Sequence, residues 1–117
     1  MNKYKNLVVW KNGVDLSLII YKLTRTFPAD ERFGLTSQLR RCVVSIPSNI
    51  AEGAGRNSNA EFAHFLGIAS GSTAELSTQL LIAEKLGYVT TAQFDFCERI
   101  ITEIQNRLFK LQATLKN

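Results

Sequence analysis

Between Phe33 and Arg56 the chain reads FGLTSQLRRCVVSIPSNIAEGAGR, and the two faces this run presents as a helix constrain the fold more than any other feature. At about 100° per residue, Leu35, Leu39, Cys42, Val43, Ile46, Ile50 and Gly53 share one side, the stripe that a helix turns toward a core. Gln38, Arg41, Ser45, Ser48, Asn49, Glu52 and Arg56 form a second row beside it, spaced three or four apart, so adjacent members can touch one another or a common partner helix. Glu52 and Arg56 make an i,i+4 acid-then-base pair. Pro47 lacks an N–H and its ring presses on the carbonyl of Val43, which predicts a kink there rather than a stop. Ser45 and Ser48 flank it and are expected to satisfy the freed carbonyl, while Gly53 and Gly55 mark the helix end.

Three more helices follow from the same spacing. The first is predicted from about Val9 to Thr26 and has two apolar faces, with Trp10, Val14, Leu18 and Tyr21 on one and Leu16, Ile20, Leu23 and Phe27 nearly opposite. Lys11, Asp15 and Lys22 confine its solvated side to a narrow strip. A helix of a monomeric bundle needs only one apolar face, so the second is expected to meet another subunit. Pro28 ends this helix, and Asp30-Glu31 suits the positive end of a following helical turn. Ser58 with Glu61 is a capping-box signature for helix three, which is predicted to continue to Leu86 with Phe62, Phe65, Leu66, Ala69, Thr73, Leu76, Leu80 and Ala83 inward. Ala63, Gly67, Gly71, Ala74 and Thr78 line a different side. A glycine inside a helix costs roughly 1 kcal/mol relative to alanine, so Gly67 and Gly71 are expected where another helix approaches closely.

Gly87 reads as a left-handed cap with Tyr88 packing back, and Thr90 to Gln93 is a second capping box with Val89 and Phe94 as its hydrophobic staple. Cys97, Ile101, Ile104, Leu108, Leu111 and Leu115 then alternate four and three apart as a bundle seam does. No strand is called for. The predicted fold is all-α, an antiparallel up-down four-helix bundle filling residues 1–117 as one domain, with its second helix kinked at Pro47.

A chain of 117 residues with 45% hydrophobic content is large enough for one real core and too small for two. No run approaches the roughly 18 to 20 apolar residues of a membrane span, and MNKYKNLVVWKNG has too short an apolar run for a signal peptide, so a cytoplasmic protein is expected. Cys42 and Cys97 fit no metal spacing and fall on apolar helical faces, where buried thiols are expected rather than a disulfide. The net charge of +4 is uneven, with nine Lys and Arg against four acids in residues 1–56 and five against six in residues 57–117. Such an excess permits phosphate contact only if the charges gather on one surface. Lys11, Lys22, Arg25, Arg40, Arg41 and Arg56 are the candidates for nucleic-acid contact, against the alternative of a solvated face.

Catalytic chemistry finds little support. Glu61-Phe62-Ala63-His64 is a Glu-x-x-His on a helix, but a di-iron bundle site needs two such motifs plus two further carboxylates, and His64 is the only histidine. Ser45, Ser48, Ser70, Ser72 and both cysteines have no evident base in sequence. Gly53-Ala54-Gly55-Arg56 lacks the Lys-Ser/Thr ending of a phosphate loop and follows a helix rather than a strand. The start of helix three beside Arg56 is either an anion site or a plain helix cap. For Gln38, Arg41, Ser45, Asn49, Glu52 and Arg56 two readings stand, a polar network locking helix two to its neighbours or a ligand site. No catalytic residue, metal ligand or cofactor is assigned.

From Trp10 to Tyr88 the chain carries Tyr21-Lys-Leu-Thr, Phe27-Pro28, Glu31-Arg32-Phe33-Gly34-Leu35-Thr36-Ser37-Gln38-Leu39-Arg40-Arg41, Ser45-Ile46-Pro47, Asn49-Ile50-Ala51-Glu52-Gly53, Gly55-Arg56, Phe65-Leu66, Gly71-Ser72 and Gln79-Leu80. This run resembles the four-helix bundle family encoded in intervening sequences of bacterial 23S ribosomal RNA genes. That family is similar to the accessory protein of diversity-generating retroelements, which forms a pentameric barrel of four-helix bundles and binds nucleic acid beside a reverse transcriptase. The resemblance implies the fold, a homopentamer and weak, sequence-nonspecific binding of RNA or DNA, while supplying no settled activity. The expected protein is thus a non-enzymatic homo-oligomeric scaffold or binding module, with nucleic acid or another protein as partner. The contrasting expectation is an enzyme whose site forms between subunits from Arg41, Asn49, Glu52, Arg56 and His64.

Overall fold

In the computed structural model, which describes residues 3–116, a 3-10 turn at Lys3–Asn6 leads into helix α1 (Val8–Thr24). A second 3-10 turn at Ala29–Glu31 precedes α2 (Leu35–Ala54), and α3 (Asn59–Lys85) and α4 (Thr91–Thr114) follow. No strand occurs among the described residues. Each helix packs against the next and α4 returns to α1, so four helices enclose one core in a body of 46 × 23 × 19 Å. Leu16 and Ile20 of α1, Leu39, Val43, Ile46 and Ile50 of α2, Leu66, Leu76 and Leu80 of α3, and Ile101, Ile104 and Leu108 of α4 are shut off from solvent. Burying each such side chain is worth about 1.5–3 kcal/mol, which makes this cluster the main source of stability.

Helix α2 continues through Pro47 without interruption. The Val43 carbonyl that Pro47 leaves without its helical donor accepts from Ser17 Oγ of α1 at 3.4 Å, although that hydroxyl makes its shorter bond, 2.8 Å, to Gly13 O. Ser45 was expected to fill this role together with Ser48, but its hydroxyl is engaged with Cys42 O and with Ser72 Oγ of α3. Ser48 is exposed. The proline faces α1 closely: a Cβ built on Gly13 would lie 3.1 Å from Pro47 Cδ. The donor therefore comes from the helix against which the proline packs.

The corners are fixed by local chemistry. Gly87 has φ 81°, and the bonds Tyr88 N–H to Ala83 O and Gly87 N–H to Glu84 O close the end of α3 in the glycine-capped manner the sequence predicts. Tyr88 then donates its hydroxyl to Glu31 Oε2 at 3.0 Å, while Glu31 Oε1 accepts the Leu35 N–H at the start of α2. Phe27 lies beyond α1 rather than on its face, and it is buried with its ring centroid 5.3 Å from that of Tyr88. Thr90 and Gln93 form the complete reciprocal capping box at α4. At α3 only half of it forms, since Ser58 Oγ accepts the Glu61 N–H while the Glu61 carboxylate meets the Ser58 hydroxyl instead of its backbone.

Candidate functional site

The polar row of α2 opens onto a groove shared with α3. Gln38, Arg41, Cys42, Ser45 and Asn49 supply one wall and Ile68, Ser72, Glu75 and Gln79 the other, around a volume of about 440 Å³. Asn49 Nδ2 donates to Ser45 O at 2.7 Å and Ser45 meets Ser72 at 2.7 Å, so the floor is tied together. The Cys42 thiol donates to Ser72 O at 3.1 Å. Burial, with the neighbouring Glu75 carboxylate adding to it, pushes this thiol up to about 12, so it stays a neutral donor. Two features of the groove are unresolved within the chain. Gln79 is 7% exposed, and its buried Oε1 has no hydrogen-bond partner among the described residues. Arg41 and Glu75 line the same groove with opposite charge, yet neither is in an ion pair among the described residues.

Glu52 and Arg56 lie apart from this groove, at the far end of α2. They pair at 2.9 Å on the surface, and the Arg56 guanidinium sits 4.8 Å over the Phe65 ring, which also meets the ring of the exposed His64 edge-on. The α3 wall was not singled out from sequence. Its signal was available in the spacing of Ile68, Ser72, Glu75 and Gln79, four, three and four apart, but assigning those residues to α2 needs a register that spacing along one helix does not give.

The candidate cations divide between surfaces. Arg40 is held at the end of α1, its Nε donating to Thr24 Oγ1 at 2.9 Å and its guanidinium lying 4.7 Å over the Tyr21 ring. Lys22 and Arg25, both exposed, occupy the same end of α1. Lys11 lies about three turns earlier along that helix, Arg41 faces the α2/α3 groove, and Arg56 is engaged with Glu52. Lys22, Arg25 and Arg40 thus form the one local grouping.

Exposed apolar side chains fall on several faces. Leu18 is 67% and Tyr21 41% exposed on α1, and Val44 is exposed on α2. Trp10 and Val14, expected on that face, are half-buried, Trp10 against the ring of Tyr4. Ile68, Leu81 and Ile82 are open on α3, and Phe96 and Phe109 on α4. A Cβ at Gly67 would meet the Gln112 amide of α4 at 3.5 Å, whereas one at Gly71 would meet nothing within 4 Å, so the close helix approach the sequence suggested is not found at Gly71 and at Gly67 comes only through the Gln112 side chain. A second, more apolar groove of about 530 Å³ lies between α1 and α4, lined by Ile19, Leu23, Phe96 and Cys97 among others. Cys97, like Cys42, is a free buried thiol, pushed up to about 11 by burial and by Glu98. No helix is long and apolar enough to cross a membrane among the described residues.

Among solved structures, the chain is similar to a crystal structure of a protein of unknown function from the S23 ribosomal protein family of Bacteroides thetaiotaomicron. The two share 26% identity with a TM-score of 0.81, over 90% of this chain and 98% of that one. Among curated proteins no relative matches. The family model described as 23S rRNA-intervening sequence protein matches residues 5–110, which include all four helices up to the last turn of α4. The chain belongs to the family of 23S rRNA-intervening sequence proteins.

Proposed function

We propose that this chain is a non-enzymatic subunit of a homo-oligomeric helical scaffold. The observation that carries this reading is the second apolar face of α1, where Leu18 is 67% and Tyr21 41% exposed while Leu16 and Ile20 on the opposite side are fully buried in the core. Large apolar side chains left this open one turn apart on a helix are groups that a partner can cover. A cyclic assembly brings together two different patches of each subunit, and open apolar groups on α3 as well as on α1 suit such an arrangement. The number five comes from the resemblance to the retroelement accessory protein. Leu18→Asp is the test: sedimentation velocity is expected to find the native chain assembled and this variant dissociated with its helical content retained. Equal sedimentation of the two would count against the α1 face.

Weak, sequence-nonspecific nucleic-acid binding is the activity such a scaffold would support best, because Lys22, Arg25 and Arg40 gather at one end of α1 without a paired carboxylate among the described residues. A ring repeats the cluster, and repetition raises avidity when the ligand spans neighbouring subunits. Polarisation titrations with RNA and DNA are expected to find affinity falling steeply with salt, the slope decreasing by about 0.9 for each duplex phosphate contact removed. Binding unaltered in an Arg25→Glu, Arg40→Glu variant would point to a protein partner instead.

A further inference from the structure

The α2/α3 groove holds groups whose bonding is incomplete within one chain, and its outer rim holds space that one chain does not fill. Gln79, 7% exposed, keeps its Oε1 buried in the groove with no donor among the described residues. Arg41 and Glu75, both exposed, face the same volume with opposite charge and in no ion pair among the described residues, Glu75 Oε1 accepting only the Cys42 thiol at 3.7 Å. On α3 the residues Ile68, Gly71 and Glu75 are three and four apart and so share one exposed strip. A side chain at Gly71 would meet nothing within 4 Å. Glycine is unfavourable inside a helix, and here the chain itself supplies no close neighbour to account for it.

Helix α1 carries the complementary set. Lys11, Asp15 and Leu18 repeat at four and three along its exposed strip. Lys11 and Asp15 are one turn apart and yet not ion-paired, and Leu18 is the most exposed apolar side chain of the four helices after Phe109. A bare position flanked by Ile68 and Glu75 is the kind of hole that a leucine knob fills between packed helices. An acid one turn away, Asp15, and a base two turns away, Lys11, match Arg41 and Glu75 in charge.

We propose that the α2/α3 groove is the receptor face of the subunit contact, taking α1 of a second copy with Leu18 against Gly71 and Ile68, Asp15 toward Arg41 and Lys11 toward Glu75. This rests on the homo-oligomeric reading and specifies which face meets which. The contact is head-to-tail, each subunit offering α1 to one neighbour and its groove to the other, which generates a ring when the rotation closes.

Two variants of the full chain test the pairing. In a Cys42→Ala, Cys97→Ala background, which removes the native thiols, Leu18→Cys combined with Gly71→Cys is expected to join subunits covalently under mild oxidation, because a disulfide forms only where Cα atoms come within about 7 Å, while each single variant stays unlinked. Gly71→Gln adds a good helix former where the protomer has open space, so helical content is expected to be kept while the assembly falls apart to the 13.1 kDa subunit. If the native chain is assembled but Gly71→Gln leaves it so and the double variant does not cross-link, this face is wrong and the homo-oligomeric reading stands. Cross-linking of Gly71→Cys alone means a symmetric α3 contact and equally overturns the pairing. A monomeric native chain ends both proposals.

Discussion

Gly53 and Gly71 are both helical glycines, and their surroundings are opposite. A Cβ at Gly53 would lie 2.7 Å from Phe65 Cβ and 3.2 Å from the Phe62 carbonyl oxygen, so α2 and α3 touch at that point only because no side chain intervenes. Gly53→Ala is expected to cost about 1–3 kcal/mol, the usual penalty of overpacking, read as a lowered urea midpoint. An unchanged midpoint would mean that the helices separate there without loss. The sequence marks Gly53 as the end of a buried stripe, and that much was legible; the backbone contact behind it was not, because it depends on a residue of another helix. The thiols give a second check at this scale. Cys42 keeps its proton to about 12 and Cys97 to about 11, against an ordinary value of 9.0. The unfolded thiols ionise first as pH rises, so their contribution is intact below pH 9 and lost as pH climbs through 11 and 12. Unfolding titrations are expected to find stability declining over that window and less so in a Cys42→Ala, Cys97→Ala chain. A decline of the same size without the thiols would assign it to other groups.

At the level of elements, helix spans were legible because periodicity and capping are local. The stop signal at Gly87 and the start at Thr90 needed no knowledge of the rest of the chain, and α4 begins where its capping box places it. Thr90→Ala is expected to destabilise the bundle by about 1 kcal/mol in thermal or urea unfolding, with no change in assembly. No measurable loss would mean that the α4 start is held by the Val89 and Phe94 packing alone. What was not legible lies between elements. The donor to Val43 O comes from Ser17, twenty-six residues away, and not from the serines beside Pro47. Likewise the α2 row became a groove only once Ile68, Ser72, Glu75 and Gln79 were set opposite it.

For the whole molecule, the core accounts for one face of every helix and leaves Leu18, Tyr21, Ile68, Ile82 and Phe109 in the open. The doubled apolar pattern of α1 was readable in the sequence because both faces belong to one helix, whereas the receiving surface combines two helices and has no linear signature. The central claim is that these surfaces are completed by further copies of the chain. Light scattering on the native protein at micromolar concentration measures this directly. A mass of several times 13.1 kDa, five times for the pentamer, is the expected result, and a particle of 13.1 kDa would contradict it.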